Sequence, residues 1–378
     1  NFFESVKVYA KDIPIIVISA GKSPQSLSVV GSDISILNEN TISSSGESFV
    51  GDILSENLMG MNYFQSGGYG TVSGIQLRGQ PKRYSTVYLN GIKLSDPSTP
   101  SNDYYFGNLI SNSLDTVEVL KGSQSTLYGS GAIAGTINLY TKKGNEGHNS
   151  SGSIFEGSFG TRNVNLSFDG KEDKFDYFFG LTNFSSDGIS ARIDDDEDDR
   201  YRNDNYVANI GYQINDQIRS ETYFNYTDTF LEYDAVALAS TDDNSSDDQQ
   251  TLFSTKLILE NGNSKNTLSF NKTYFLRETV IGYNSETPSK KMYEGKRDAL
   301  NLIGQYNLNL DTKINYGLEY EIDNAEIPSN YTTGSTYHAT KYAFAEEEIN
   351  SQYLDLQFRP LEKLYSTIGL RRDHHSIA

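Results

Sequence analysis

From about Asn149 onward the chain is written in strict alternation. Ile314, Tyr316, Leu318, Tyr320 and Ile322 are interleaved with Asn315, Gly317, Glu319 and Glu321. Tyr206, Ala208, Ile210, Tyr212 and Ile214 repeat the pattern, as do Leu300, Leu302, Gly304, Tyr306 and Leu308, and Val164, Leu166 and Phe168. A period of two is the signature of a strand whose faces meet different environments. About eleven such segments occur, each near the ~10 residues that cross an outer membrane at a tilt of about 45°. No stretch approaches the ~20 consecutive apolar residues of a membrane-spanning helix, so the sequence predicts a transmembrane antiparallel β-barrel.

Connection lengths add an orientation. Gly170–Lys174, Ile214–Gln217, Glu260–Ser264, Asn309–Thr312 and Arg359–Leu364 read as short turns, alternating with long polar loops at Ser185–Asn203, Asp228–Gln250, Arg277–Lys296 and Asp323–Asn350. Outer-membrane barrels keep short turns in the periplasm and long loops outside. Tyr177, Tyr201, Tyr274, Tyr293 and Tyr365 lie at segment ends and suit an aromatic girdle. A soluble sandwich also alternates, but it does not call for such uniform strands or such loop asymmetry. An odd strand count cannot close a single-chain bacterial barrel, and open edges in lipid cost several kcal/mol per unsatisfied group, of order. The expectation is a fragment holding about 11 of 22 strands, the size at which barrel lumens are plugged.

The expected divisions are 1–24, an N-terminal segment; 25–147, a compact α+β domain; and 148–378, a partial barrel. In the compact part short apolar runs (Ile34–Leu37, Gly74–Leu77, Thr86–Leu89, Asp115–Leu120, Gly135–Tyr140) are separated by Gly and Ser. Apolar residues at helical spacing predict a helix within Ser48–Leu58.

Composition excludes several functions. With no cysteine there is no disulfide or thiolate-metal framework. A net charge of −19, from 31 Lys and Arg against 50 Asp and Glu, argues against nucleic acid. The histidines His148, His338, His374 and His375 lie in turns or loops without a catalytic spacing, so no enzyme is expected and no cofactor is required. The glycines at 129, 131 and 135 do not have dinucleotide-loop spacing, and Gly21–Lys22–Ser23 lacks the upstream glycine of a P-loop.

Four ordered motifs carry a resemblance. They are Ile75–Gly79, then Val87–Leu94, then Val117–Gly122, then Leu127–Leu139. The series closely resembles the plug domain of TonB-dependent receptors: I-x-x-R-G, V-x-x-D-G-V, then V-E-V-x-x-G-P-x-S-x-x-Y-G-x-x-A-x-x-G-x-I-N. Asn90 and Ser123 depart from it, where Asp and Pro are usual. The resemblance implies a receptor in the outer membrane of a Gram-negative bacterium. It would take up a scarce large solute with energy delivered by TonB and its ExbB/ExbD complex. Ile15, Ile16, Val17, Ile18, Ser19 and Ala20 resemble a TonB box, the segment that TonB captures as an added strand; a plain plug edge strand is the alternative. Arg78 and Glu118 resemble plug charges that pair with the barrel wall; a local salt bridge is the alternative.

The loops resemble the cobalamin-receptor branch, in Asn203–Tyr206 and Glu232–Ala235. That branch implies Ca²⁺ held by carboxylates, for which Asp195, Asp196, Asp204, Tyr233, Asp234 and Asp242 are the candidates; a solvated charge run is the alternative. It also implies ligand contacts at Gln65, Tyr69, Asp96, Asp103, Tyr104 and Tyr105. A ferric siderophore is the other ligand class considered. A non-transporting structural or adhesive barrel in outer-membrane lipid is the other function class.

Overall fold

The structure is a computed structural model that describes residues 15–22, 24–101, 103–190, 192, 197–234, 243–283, 288–309, 311–329, 332–333, 336–337, 341–361 and 364–376. The first part contains β1 (Ile16–Val17), β2 (Gln25–Ser26), β3 (Asp33–Asn38), α1 (Glu39–Ser44), α2 (Val50–Asn57), β4 (Met61–Gln65), β5 (Ser73–Leu77), β6 (Ser85–Leu89), β7 (Ile92–Lys93), β8 (Leu114–Lys121), α3 (Ser125–Tyr128) and β9 (Gly135–Thr141). One mixed sheet runs in the order β3-β8-β9-β6-β7, with β6 and β9 parallel. Helix α1 is capped by Asn38, whose side chain accepts from Thr41 N at 3.0 Å. Helix α2 buries Val50, Ile53 and Leu54, the i, i+3, i+4 stripe of one face.

Two local devices fix this domain. The β6–β7 turn has positive φ at Asn90 (50°) and Gly91 (82°), the Asn-Gly hairpin solution, and Asn90 Nδ2 donates to Thr141 Oγ1 at 2.7 Å. A Cβ at Gly135 would lie 2.1 Å from Leu120 O, so no other residue fits where β9 meets β8.

The second part is β10 (Gly147–Glu156), β11 (Arg162–Glu172), β12 (Phe175–Ser186), β13 (Tyr201–Asn215), β14 (Ile218–Asp234), β15 (Asp243–Asn261), β16 (Ser264–Ile281), β17 (Ser289–Asn309), β18 (Thr312–Ser329), the short pair β19 (Thr332–Thr333) and β20 (Thr336–Tyr337), β21 (Lys341–Leu361) and β22 (Leu364–His375). Leaving aside β19 and β20, these form one 11-stranded antiparallel sheet in chain order, a partial barrel.

The sheet is apolar outside and polar inside. Leu268, Phe270, Leu300, Leu302 and Leu318 point outward and are exposed, while Ser269, Asn271, Arg297, Asn315 and Asp355 face inward and are buried. A sandwich would reverse this; a lipid-facing wall around a plug requires it.

Three of the four long loops shrink, because their polar sequence is strand. The ladder runs from Asp228↔Gln249 to Asp234↔Asp243, from Arg277↔Tyr293 to Ile281↔Ser289, and from Asp323↔Glu347 to Ser329↔Lys341. The strict apolar alternation lapses in these stretches while the ladder continues, and several of their residues, among them Thr229 and Leu231, are buried. The girdle also needs correction. Tyr177 and Tyr274 face outward, but Tyr201 is buried inward against Phe49 and Phe184, and Tyr293 lies under the Arg277 guanidinium, 4.7 Å away.

Leu302→Arg is expected to cost about 2–4 kcal/mol, as a charge on the lipid face does near the midplane, and Asn301→Arg, its inward neighbour, much less. Denaturant unfolding in lipid vesicles measures both; equal losses would contradict the assigned faces.

Candidate functional site

The N-terminal segment is folded back under the plug. β1 pairs with β2 over two residues, and Val17 and Ser19 are fully buried while Ile15, Ile16 and Ile18 stay exposed. The buried carboxylate of Glu118 on β8 holds it. Ile18 N donates to both oxygens at 3.0 Å, and Ser19 donates through its N at 2.8 Å and its Oγ at 2.5 Å. Tyr128 OH donates to Ser19 O at 2.7 Å. Glu118 thus grips the Ile15–Ala20 segment, its carboxylate taken up by Ile18 and Ser19 on a strand that lies between β3 and β9 of the plug sheet. Arg78 likewise pairs with Asp33 of the plug, both half exposed, the local-bridge alternative.

Other residues carry the charge pairing to the wall. Lys22 Nζ bonds Glu319 and lies 5.0 Å from the rings of both Tyr128 and Tyr353. Burial pulls the Lys22 pKa down, and Glu319 opposes that pull. Arg371 donates to Glu319 at 2.8 Å. Two residues along β18, Lys93 Nζ donates to Glu321 at 2.8 Å. Beyond that, Arg297 donates to Asp323 at 2.7 and 2.6 Å and to Ser95 O at 2.7 Å. Glu319, Glu321 and Asp323 therefore form an inward acidic row. The alternation in sequence showed which face they share, but not that plug lysines meet them there.

The six ligand candidates do not converge on one pocket. Tyr104 is buried in the plug core, with its ring 5.3 Å from Phe106. Asp96 accepts from Ser98 N and Oγ, each at 2.8 Å, within its own loop and lies 3.8 Å from the Arg277 guanidinium of β16, while Asp103 pairs with Lys82, just before β6, at 3.2 Å. Gln65 accepts from Tyr63 OH at 2.6 Å and donates to Gly68 O. Tyr69 packs among Phe49, Phe184 and Tyr201, with ring centroids 5.1–5.7 Å apart. Tyr105 lies between Lys82 Nζ (4.6 Å) and the Arg277 guanidinium (5.5 Å).

Of the six calcium candidates, Asp195, Asp196 and Asp242 lie outside the described residues. Asp204 points outward, pairing with Arg202 and accepting from Asn183. Tyr233 packs on the aromatic cluster of Phe49 and Tyr201. Asp234 alone joins a carboxylate group, with Glu197 and Asp243, whose oxygens lie within 4.8 Å of one another. Asp234 Oδ1 is buried there without a hydrogen-bond partner among the described residues.

Between plug and wall lies a cavity of about 1290 Å³, lined by Ile16, Ile18 and Lys22, by the β6–β7 hairpin and by the inner faces of β13 to β18, β21 and β22.

Glu319→Gln would leave the buried Lys22 ammonium without its carboxylate, a loss of about 3–5 kcal/mol for breaking one partner of such a pair. Hydrogen exchange at the amides of 17–22 is expected to accelerate, and unchanged protection would contradict the pairing.

Residues 26–136 match the TonB-dependent Receptor Plug Domain model. The vitamin B12 transporter BtuB of Photobacterium profundum is 26% identical over 235 residues, which are 58% of this chain and 36% of that protein. BtuB of Vibrio vulnificus strain YJ016 is 29% identical over 126 residues, 33% of this chain and 20% of that protein. The chain thus matches well under half the length of these relatives. Among solved structures, the pyoverdine receptor FpvA of Pseudomonas aeruginosa superposes with a TM-score of 0.79 at 13% identity, covering 95% of this chain and 59% of that one. The ferric yersiniabactin receptor FyuA of Yersinia pestis gives 0.72 at 17% identity, covering 91% and 56%. Residues 26–136 thus match the plug domain of TonB-dependent receptors, and the plug set against a partial barrel supports a TonB-dependent receptor fold, with cobalamin-receptor-like similarity in sequence.

Proposed function

We propose that the chain is part of an outer-membrane receptor that takes up a scarce, large solute, with cobalamin as the ligand and TonB supplying the energy. One observation carries most weight: an extended, β-branched segment, Ile15–Ala20, lies at the plug–wall cavity with three isoleucines exposed and is held by hydrogen bonds to Glu118 and Tyr128 and by a two-residue pairing with β2. Such a segment can leave without unfolding the plug core, and once free it suits capture as an added strand. Ligand and TonB then raise each other's affinity by the same factor. The sequence likeness to vitamin B12 transporters favours cobalamin over a ferric siderophore.

Calcium belongs to the same proposal. Glu197, Asp234 and Asp243 would supply three of the about six to eight oxygens that Ca²⁺ takes, and so order the outer ends of β14 and β15 for the ligand.

Labelled cobalamin is expected to bind outer membranes carrying the receptor, and a calcium chelator should weaken that binding. Absent binding would move the ligand to the ferric siderophores. Ile18→Pro removes the backbone donor that strand addition needs, so this variant should bind cobalamin normally and fail in uptake; normal uptake would refute the assignment of the segment.

A further inference from the structure

Arg277, near the outer end of β16, is bracketed by aromatic rings and left without hydrogen bonds. Its guanidinium lies 4.7 Å from the ring of Tyr293, its cross-strand neighbour on β17, and 5.5 Å from the ring of Tyr105 of the plug. Two aromatic faces hold the plane of the group and leave its N–H donors at the edge. Among the described residues Arg277 donates no hydrogen bond. Asp96 Oδ2 of the plug lies 3.8 Å from Nη1, an attractive distance but too long for a bond. The Arg277 side chain is 19% exposed, so a solute can reach it.

The pairing of Arg277 with Asp96 is built by the wall. A Cβ at Gly295 of β17 would lie 2.3 Å from Asp96 Oδ1 and 3.1 Å from Pro97 Cδ, so the plug's outer loop reaches the wall through a gap that a side chain would fill. Ser98 N and Oγ hold Asp96 Oδ1, which leaves Oδ2 for the Arg277 side. Both residues border a cleft of about 50 Å³ that Tyr105, Asn108 and Asp248 also line. It has room for a few waters or for one small polar substituent of a larger solute.

We propose that Arg277 and Asp96 form a subsite for a neutral carboxamide group of the solute, with Arg277 as a specificity-determining residue. The cleft sets one guanidinium against two carboxyl groups, those of Asp96 and Asp248. An anionic group would meet both carboxyls, and an ammonium would meet the guanidinium at close range. A carboxamide has no charge and offers an acceptor and a donor side by side, its C=O for Arg277 and its N–H for Asp96 Oδ2. A solute that lacks the matching group leaves these polar atoms unpaired, which is the source of strong discrimination. The proposal rests on the uptake reading above and deepens it, since cobalamin carries carboxamide side chains.

Arg277→Met keeps an unbranched stem between the two rings and removes the donors. Asp96→Asn keeps the acceptor that Ser98 uses and turns the other oxygen into a donor. Each is made in the whole receptor, with its abundance in the outer membrane as the check on folding. The probes are labelled cobalamin and its separated monocarboxylate isomers, in each of which one carboxamide is hydrolysed. The Arg277→Met receptor should bind cobalamin at least about tenfold more weakly, as loss of one charged hydrogen bond implies. The unaltered receptor should bind at least one isomer more weakly than cobalamin by a similar factor. Asp96→Asn should narrow that gap several-fold, because a carboxylate can then accept from both side chains. Cobalamin binding that is unchanged in Arg277→Met overturns the subsite. So does an equal loss for cobalamin and every isomer with no narrowing in Asp96→Asn, which would leave Arg277 as a contact between plug and wall. No cobalamin binding by the unaltered receptor overturns the cobalamin reading and the subsite with it.

Discussion

Within hydrocarbon no water is available to a peptide group, and every other feature of this chain follows from that constraint. Each strand must bond to its neighbours along its length, which gives the continuous ladder from β10 to β22. Side chains on a paired strand alternate, so placing Leu268, Leu300 and Leu318 toward lipid obliges Ser269, Arg297 and Asn315 to face inward. Those inward groups need partners. Asn315 finds Asp355 on the next strand, but Asn203 and Arg297 bond Asn108 and Ser95 of the plug. The wall is therefore completed by the domain it encloses.

The N-terminal segment is held differently from the plug core. Leu54, Leu77, Ile137 and Leu139 are packed in one apolar cluster, and moving any of them would expose area worth about 25 cal/mol per Å². Ile15–Ala20 instead depends on hydrogen bonds to Glu118 and Tyr128 and on a two-residue strand. Hydrogen bonds to a charged group are worth about 1.5–3 kcal/mol each, enough to keep the segment docked and little enough for a ligand or a partner to reverse. The acidic row on β18 adds a second fastening through Lys22, one turn of chain further on.

Much of this was legible in the sequence, and the gaps have physical causes. Alternation located the strands, and Gly-rich apolar runs located the plug sheet, because both report the environment of a face. The helix Val50–Asn57 followed from its apolar stripe. Strand length was not legible, since a mixed stretch such as Asp228–Asp234, where Phe230 and Leu231 fall side by side, breaks the alternation yet extends the ladder. Nor were partners. A carboxylate at an inward position is compatible with any cation across the lumen. Glu118 therefore read as a wall contact while the structure gives it to Ile18 and Ser19, and Glu319 carried no mark of Lys22. The aromatic residues failed for the same reason, as Tyr201 and Tyr69 meet across the plug–wall boundary from distant parts of the chain.

The account turns on Glu118 as the group that keeps the N-terminal segment docked. Glu118→Gln keeps the side chain's shape and removes its charge, so capture of the receptor by the purified periplasmic domain of TonB tests it directly. The account predicts that capture without ligand rises at least about tenfold, the equivalent of losing one charged hydrogen bond. Capture that stays as ligand-dependent as in the unaltered receptor would contradict it.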